Sequence, residues 1–134
     1  MTVSLSAVHI IVDDPDAALA FYQDTLGFTK LFEAENGGYR WITLSTPTQP
    51  EIQIVLEQPH GGRSQENGDA IAALLAKGEL QMVQFKTDNL EATFEKVAAA
   101  PGAEVLQEPT DQPWGQRDAA FRDPAGNMVR IAQR

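Results

Sequence analysis

The sequence predicts an α+β fold made of two copies of a βαβββ module. An alternating strand followed by a capped helix at residues 14–27 returns at residues 88–102, and the two helices match in length to within one residue. A repeat of this kind indicates duplicated structural units that pack on each other. A third sign is the sequence Asp-Pro-Ala-Gly-Asn at residues 123–127, a tight turn between two apolar strands. We therefore expect one domain over residues 1–134, with modules at about 1–58 and 79–134 joined by a linker that contains a short helix.

The first module begins with a strand at residues 3–12, where apolar residues alternate. Asp14 is predicted to cap the following helix, with Pro15 at the first helical position, and Gly27 is predicted to end it. The other predicted elements are strands at residues 28–34, 39–46 and 52–56, with a hairpin turn at residues 36–38 (Asn-Gly-Gly).

The second module repeats this order after a polar, glycine-rich linker at residues 59–68 and a short helix at residues 70–77. Asp88 is predicted to cap its main helix. In its last strand, alternation places Met128 and Arg130 on the same face. The other predicted elements are strands at residues 80–87, 104–106 and 117–121, a helix at residues 92–97 and a loop at residues 109–115.

The composition excludes several classes of function. The chain has no cysteine, which excludes disulfides, thiolate zinc sites and cysteine nucleophiles. Its net charge of −9 argues against nucleic-acid binding, which needs a basic surface, and favours cationic ligands. The first residues do not resemble a signal peptide, and no apolar run is long enough to span a membrane. We expect a cytoplasmic protein with no nucleic-acid or membrane partner.

Five short motifs follow one another over nearly the whole chain: DPD at 14–16, AFY at 20–22, LGF at 26–28, TDN at 87–89 and FRDPAGN at 121–127. In this order they resemble the vicinal oxygen chelate superfamily, which includes glyoxalases, extradiol dioxygenases, and bleomycin and fosfomycin resistance proteins. The resemblance implies that the two modules curl their sheets around a cavity and that the chain forms a homodimer. It does not fix the chemistry, because one fold hosts many activities.

The resemblance also implies where a metal would bind. By registration with the family, the four ligand positions fall on Ala7, Val55, Met82 and Arg130. None of these side chains is a suitable ligand for a divalent ion, and a guanidinium would repel one. The sequence therefore predicts that the usual metal site is lost and that no cofactor is bound. A displaced site at His9 and Glu57 is an alternative, but it lacks an identifiable third ligand.

If the sheets curl as the resemblance implies, alternation along the strands predicts which side chains face the cavity. Ala7, Lys86 and Met128 belong to this surface. The predicted ligand-binding residues are His9, Gln53, Val55, Glu57, Met82, Gln84 and Arg130, with Trp114 in a loop at the cavity mouth.

A purely structural interpretation of the same residues stays open. In that interpretation His9 is a satisfied interior histidine, the methionines fill space, and Arg130 forms an ion pair with Glu57. Trp114 would then be a dimer contact or a lid over the core.

Three functional hypotheses follow. The first is a protein that binds a small organic molecule. The second is a lyase, isomerase or dioxygenase that uses His9 as general base or a rearranged metal site. The third is a module that only contacts another protein. For the first hypothesis, the acidity of the chain favours a cationic antibiotic, whereas Arg130 favours a carboxylate or enolate, so the charge of the ligand stays open.

Overall fold

The computed structural model describes residues 2–134, which form two four-stranded sheets with three helices. The first half consists of β1 (Ala7–Ile11), α1 (Pro15–Leu19, which continues as a π-helical segment, Ala20–Thr25), β2 (Thr29–Asn36), β3 (Tyr39–Thr46) and β4 (Gln49–Glu57). A connecting helix follows, α2 (Gln65–Ala76). The second half consists of β5 (Met82–Thr87), α3 (Leu90–Ala98), β6 (Glu104–Asp111), β7 (Arg117–Arg122) and β8 (Met128–Gln133).

The two sheets have the same topology. The strand order is β1-β4-β3-β2 in the first sheet and β5-β8-β7-β6 in the second. In each sheet the first and last strands of the module pair in parallel, and the other pairs are antiparallel. This arrangement confirms the α+β class and the repeated βαβββ order that the sequence predicts.

A single apolar core lies between the helices and the sheets. A cluster of three aromatic rings joins the two halves: Tyr22 stacks on Phe28, and Phe85 meets both edge-to-face, with ring centroids of Phe28 and Phe85 5.3 Å apart. In β8, Val129 and Ile131 face this core, and Met128 and Arg130 face away from it, as alternation predicts. Other core residues are Ile10, Val12, Phe21, Ile42, Leu44, Leu56, Leu90, Val97 and Phe121.

Several local predictions are confirmed because they depend only on neighbouring residues. The Asp14 carboxylate accepts hydrogen bonds from the backbone N–H groups of Asp16 and Ala17, so it caps α1. The turn before β8 closes with a hydrogen bond from Gly126 N–H to Asp123 O, and Gly126 has a φ of 102°.

Other boundaries differ from the predictions. The first strand is confined to Ala7–Ile11 because only this part pairs with β4. Helix α2 begins at Gln65, inside the expected linker, because the Ser64 hydroxyl caps it by accepting from Asn67 N–H.

Two corrections concern the second half. Asn89, and not Asp88, caps α3, because its side chain accepts from Ala92 N–H while Asp88 pairs with Arg134. Strand β6 continues through residues 109–111 of the expected loop, because Asp111 still pairs with Arg117 of β7.

Polar side chains fix β1 against the second half. The side-chain amide of Gln81 donates to His9 O at 3.0 Å and accepts from Ile11 N–H at 2.7 Å. Asn127 Nδ2 also donates to Ile11 O at 2.8 Å. These bonds hold the two halves at a defined separation, which determines the shape of the space between them. Within residues 2–134, no helix has the length and apolar character needed to cross a membrane.

Candidate functional site

A partly open cavity of about 700 Å³ lies between the two halves of the chain. The first half contributes Leu26, Phe28 and the turn between β3 and β4, residues 46–49. The second half contributes the face of its sheet that points away from the core. Its lining residues there are Gln84, Lys86, Gln116, Asp118, Arg130, Ala132 and Arg134. Most of the lining side chains are polar or charged, and the apolar part consists of Leu26, Phe28, Pro47, Phe85 and Ala132. The volume is in the range typical of small-molecule sites.

An ion pair between neighbouring strands lies in the wall of this cavity. Arg130 Nη1 donates to Asp118 Oδ2 at 3.1 Å, and the Asp118 side chain is only 4% exposed. The other carboxylate oxygen, Oδ1, accepts from Gln112 Nε2 at 2.8 Å and from Gln107 Nε2 at 3.4 Å. Both oxygens of the buried carboxylate therefore have donors, and the carboxylate anchors one end of the Arg130 guanidinium.

Lys86 differs from the two arginines in the cavity. Arg130 is paired with Asp118, and Arg134 Nε lies 3.0 Å from Asp88 Oδ1. Lys86 forms no ion pair with any residue of the described chain, 2–134. It stands beside Ala132 in the β5–β8 register, and Asp118 lies on the far side of Ala132, in β7.

A second, smaller cavity of about 210 Å³ adjoins the first. The two share Leu26, Phe28, Phe85, Lys86 and Thr87, so Lys86 stands where they meet. The smaller cavity adds Ile131 to its apolar lining and has a second lysine, Lys96.

A separate polar cluster lies on the first sheet. Glu57, whose side chain is 10% exposed, accepts hydrogen bonds from Arg63 Nη2 at 2.6 Å and Trp41 Nε1 at 3.2 Å, and His9 Nδ1 lies 3.2 Å from it. Burial alone would raise the pKa of Glu57, but the hydrogen bonds from Arg63 and His9 outweigh burial, so the pKa lies below its ordinary value. An ionised carboxylate has no proton to donate, so a hydrogen bond between the two groups requires the proton on His9 Nδ1.

The predicted site residues fall into three groups. Gln84 and Arg130 line the large cavity. Met82 and Trp114 are largely exposed and lie outside its lining. The remaining four, His9, Gln53, Val55 and Glu57, lie on β1 and β4 of the first sheet, also outside the lining.

The alternative pairing of Arg130 with Glu57 is wrong. Arg130 lies in the second sheet, where β7 supplies Asp118, and Glu57 lies in the first sheet, where Arg63 reaches it. Sequence reasoning missed Asp118 as this partner, although a charged residue preceding Ala119, Ala120 and Phe121 in an apolar strand is a usable signal. No comparable signal identifies the turn at residues 46–49, which reaches the cavity through tertiary packing.

The chain matches known proteins along nearly its whole length. The model of the family described as Glyoxalase/Bleomycin resistance protein/Dioxygenase superfamily matches residues 4–131. The uncharacterized protein YurT of Bacillus subtilis is 31% identical over 127 residues, which are 93% of this chain and 94% of YurT.

Two solved structures are similar over the full fold. The crystal structure of UcmS2 is 33% identical, with a TM-score of 0.85 and complete coverage of both chains. TnmS3, an antibiotic binding protein from Streptomyces sp. CB03234, is 25% identical, with a TM-score of 0.74 over 99% of this chain and 98% of TnmS3.

Proposed function

We propose a binding function on the premise that this chain belongs to the glyoxalase/bleomycin resistance protein/dioxygenase superfamily. In this proposal the protein holds a small organic molecule in the cavity between its two halves. The observation that carries the proposal is the division of that cavity into an apolar side, formed by Leu26, Phe28 and Phe85, and a polar side on which Asp118 fixes Arg130. Such a surface buries the body of a ligand and orients its polar groups.

The side chains at the four family metal positions do not fit a divalent ion, which supports loss of the metal site. Ala7 and Val55 have no donor atom, Met82 offers a thioether, and Arg130 carries a positive charge. Within the described residues 2–134, no three His, Asp or Glu side chains come close enough to share one ion. We therefore derive no metal-dependent step for this chain.

The similarity to TnmS3 supports an antibiotic as the ligand. That protein binds an antibiotic, and its fold matches this one along almost the whole chain. The proposal extends this property from TnmS3 to the cavity described above, in which Gln84 and Arg130 would orient the ligand.

Native mass spectrometry with a panel of antibiotics from several chemical classes tests the proposal. We expect a one-to-one complex with at least one compound, and we expect Ala132→Trp to abolish it by filling the cavity. Ala132 is 7% exposed and lines the cavity. The control is Ala98→Trp, because Ala98 is an exposed residue of α3 outside the cavity. Melting curves identify a variant that fails to fold, and Ala132→Leu then replaces the tryptophan variant.

The same spectra report bound metal. Stoichiometric zinc, nickel, manganese or iron that disappears in His9→Ala would contradict a binding function without metal. Binding that is equally strong in Ala132→Trp would show that the ligand lies elsewhere.

The arrangement of His9 favours a second candidate, a lyase, isomerase or dioxygenase with His9 as general base. Glu57 orients the ring through Nδ1, and the half-exposed side chain leaves Nε2 as the basic atom. If this candidate is right, His9→Gln abolishes turnover without weakening binding in the cavity. Turnover that persists in this variant would exclude His9 as the base.

We also propose that the protein is a homodimer. One edge strand of each sheet, β2 and β6, exposes apolar side chains: Leu31, Phe32, Val105 and Leu106. Exposed apolar edge strands favour association. Light scattering should give a particle mass twice that of the chain, and Phe32→Glu should reduce this mass to that of the monomer. Leu74→Glu, which adds the same charge at an exposed leucine of α2, should leave it unchanged; a monomeric wild type would contradict the proposal. A cytoplasmic location stays a prediction.

A further inference from the structure

We infer that the ligand is an organic anion: an apolar molecule that carries one negatively charged oxygen group, which Lys86 binds. This inference rests on the proposed function and specifies the charge of the molecule that the cavity accepts. It favours an anionic over a cationic ligand, a choice that the amino-acid sequence leaves open.

The first step is the distribution of charge in the cavity. Its charged side chains are Lys86, Asp88, Asp118, Arg130 and Arg134. Each carboxylate is paired with one arginine, which leaves the ammonium group of Lys86 without a counter-charge among residues 2–134. A ligand with one negative group would supply that charge in the bound state.

The second step is that Asp118, the buried carboxylate of the cavity, is not available to a cation. Both oxygens of Asp118 already accept hydrogen bonds, Oδ2 from Arg130 and Oδ1 from Gln112 and Gln107. Because the Asp118 side chain is only 4% exposed, a cationic ligand would reach its carboxylate only by displacing one of these donors, which would leave a buried polar group unpaired. The geometry therefore disfavours a cation on this side of the cavity.

The third step is that the overall charge of the chain does not reverse this preference. The net charge of −9 belongs to the whole chain. Interactions between exposed charges are screened over about 8 Å at physiological ionic strength. Lys86 is itself exposed, but it lines the cavity, so its charge would act on a bound group at contact distance, well within this screening length.

The position of Lys86 also sets where the apolar part of the ligand would lie. Lys86 stands at the junction of the two cavities, and Ala132 beside it leaves space for a bound group. The smaller cavity extends from this point along Leu26, Phe28, Phe85 and Ile131. An acidic group at Lys86 would thus place an aromatic or aliphatic body against these four apolar side chains, with Lys96 and three threonines in the rest of the lining.

A pair of fluorescent dyes tests the inference. The first is 8-anilinonaphthalene-1-sulfonate, and the second is N-phenyl-1-naphthylamine, which is the same molecule without its sulfonate. We expect the wild-type protein to bind the sulfonate more tightly than the neutral dye. Lys86→Gln should weaken sulfonate binding about fivefold, near the upper end of what an exposed ion pair gives, and leave the neutral dye unaffected. Lys86→Arg should retain sulfonate binding.

Lys77→Gln is the matched control because it removes the same charge at an exposed lysine outside both cavities. Equal weakening of sulfonate binding by Lys77→Gln and Lys86→Gln would overturn the inference, because general surface charge would then explain it. A wild-type preference for the neutral dye would overturn it as well.

Ala132→Trp separates this inference from the proposed function. If the neutral dye binds and is lost in Ala132→Trp, but the sulfonate shows no preference, the anion inference fails and the binding function stands. If neither dye responds to Ala132→Trp, both fail. A sulfonate preference that requires both Lys86 and an open cavity supports both. Competition by 1-naphthoate, but not by 1-naphthylmethanol, extends the result from sulfonates to carboxylates.

Discussion

The guanidinium of Arg130 and the carboxylate of Asp118 meet across two strands of the second sheet, with Nη1 and Oδ2 3.1 Å apart. Only Nη1 of Arg130 forms a hydrogen bond to another side chain of the described chain, residues 2–134. The pair is electrically neutral, yet Nε and Nη2 keep their donors for a ligand. In the proposed function, Arg130 would therefore orient a ligand through these free N–H groups, and Lys86 would supply the net positive charge.

Asp118→Asn should affect both stability and ligand preference. The substitution removes the counter-charge of Arg130 and leaves an amide facing the donors of Gln107 and Gln112, so we expect a loss of about 1–3 kcal/mol in the free energy of unfolding. The released positive charge should raise the affinity for the sulfonate dye relative to the neutral dye. Urea unfolding and dye titration measure the two effects.

Asp24→Asn is the control for that variant, because Asp24 is exposed and forms no ion pair within residues 2–134. It should alter neither stability nor dye preference. Weaker sulfonate binding in a folded Asp118→Asn protein would contradict the assignment of Asp118 as the neutralising partner.

Glu57→Gln should make stability less dependent on pH in the acid range. Because the pKa of Glu57 lies below its ordinary value of 4.5, its carboxylate stabilises the folded state above that pH, and the stabilisation is lost as the pH falls through the lowered pKa. We expect the variant to be about 1–3 kcal/mol less stable near neutral pH, with a difference that shrinks in acid. Urea unfolding from neutral pH to below 4.5 measures this.

The control for Glu57→Gln is Glu51→Gln, at an exposed glutamate of the same strand. It should produce no such convergence. A constant difference between wild type and Glu57→Gln at every pH would mean that the charge of Glu57 does not stabilise the fold.

Features that depend on adjacent residues could be predicted from the sequence. The Asp14 cap is an interaction between a side chain and backbone two and three positions away, and the faces of Gln84 and Arg130 follow from the two-residue period of a strand. The partner of Arg130 could not be predicted in this way. Alternation tells which face a side chain occupies, but only the strand order places β7, and with it Asp118, beside β8.

The extent of the site was harder to predict for the same reason. The sequence places His9 and Arg130 on equivalent faces of their strands, which led to the expectation of one shared cavity. In the structure they lie in different sheets, and the cavity is completed by residues 46–49, a turn whose sequence carries no sign of that role. The distance between two elements depends on packing across the whole chain, which local patterns do not encode.

Gly78→Ala should destabilise the protein by more than the cost of placing an alanine at a positive φ. Gly78 has a φ of +71°, and a Cβ there would lie 2.3 Å from Nη1 of Arg122. That nitrogen donates to Gly78 O and to Gly126 O, so moving it loses both bonds. We expect a cost of about 1 kcal/mol for the conformation and about 1–2 kcal/mol more for the lost bonds, measured by urea unfolding.

Gly37→Ala isolates the backbone part of that cost. Gly37 has a similar φ of +62°, but nothing lies within 4 Å of an added Cβ. If both alanine variants lose the same stability, Arg122 does not hold the segment before β5 in the way we describe.

Tyr22→Phe should weaken the junction between the two halves. The Tyr22 hydroxyl donates to Asp123 Oδ2 at 2.7 Å, and both groups are buried, so its loss should cost about 1–3 kcal/mol. Burial raises the pKa of Asp123 above 3.8, so its contribution to stability falls as the pH rises through the raised pKa. Because the Tyr22 hydrogen bond opposes this rise, the loss in Tyr22→Phe should be larger at neutral pH than in acid. Urea unfolding of Tyr39→Phe, whose ring stacks on His60, provides the comparison; an equal loss would mean that the Asp123 bond contributes nothing.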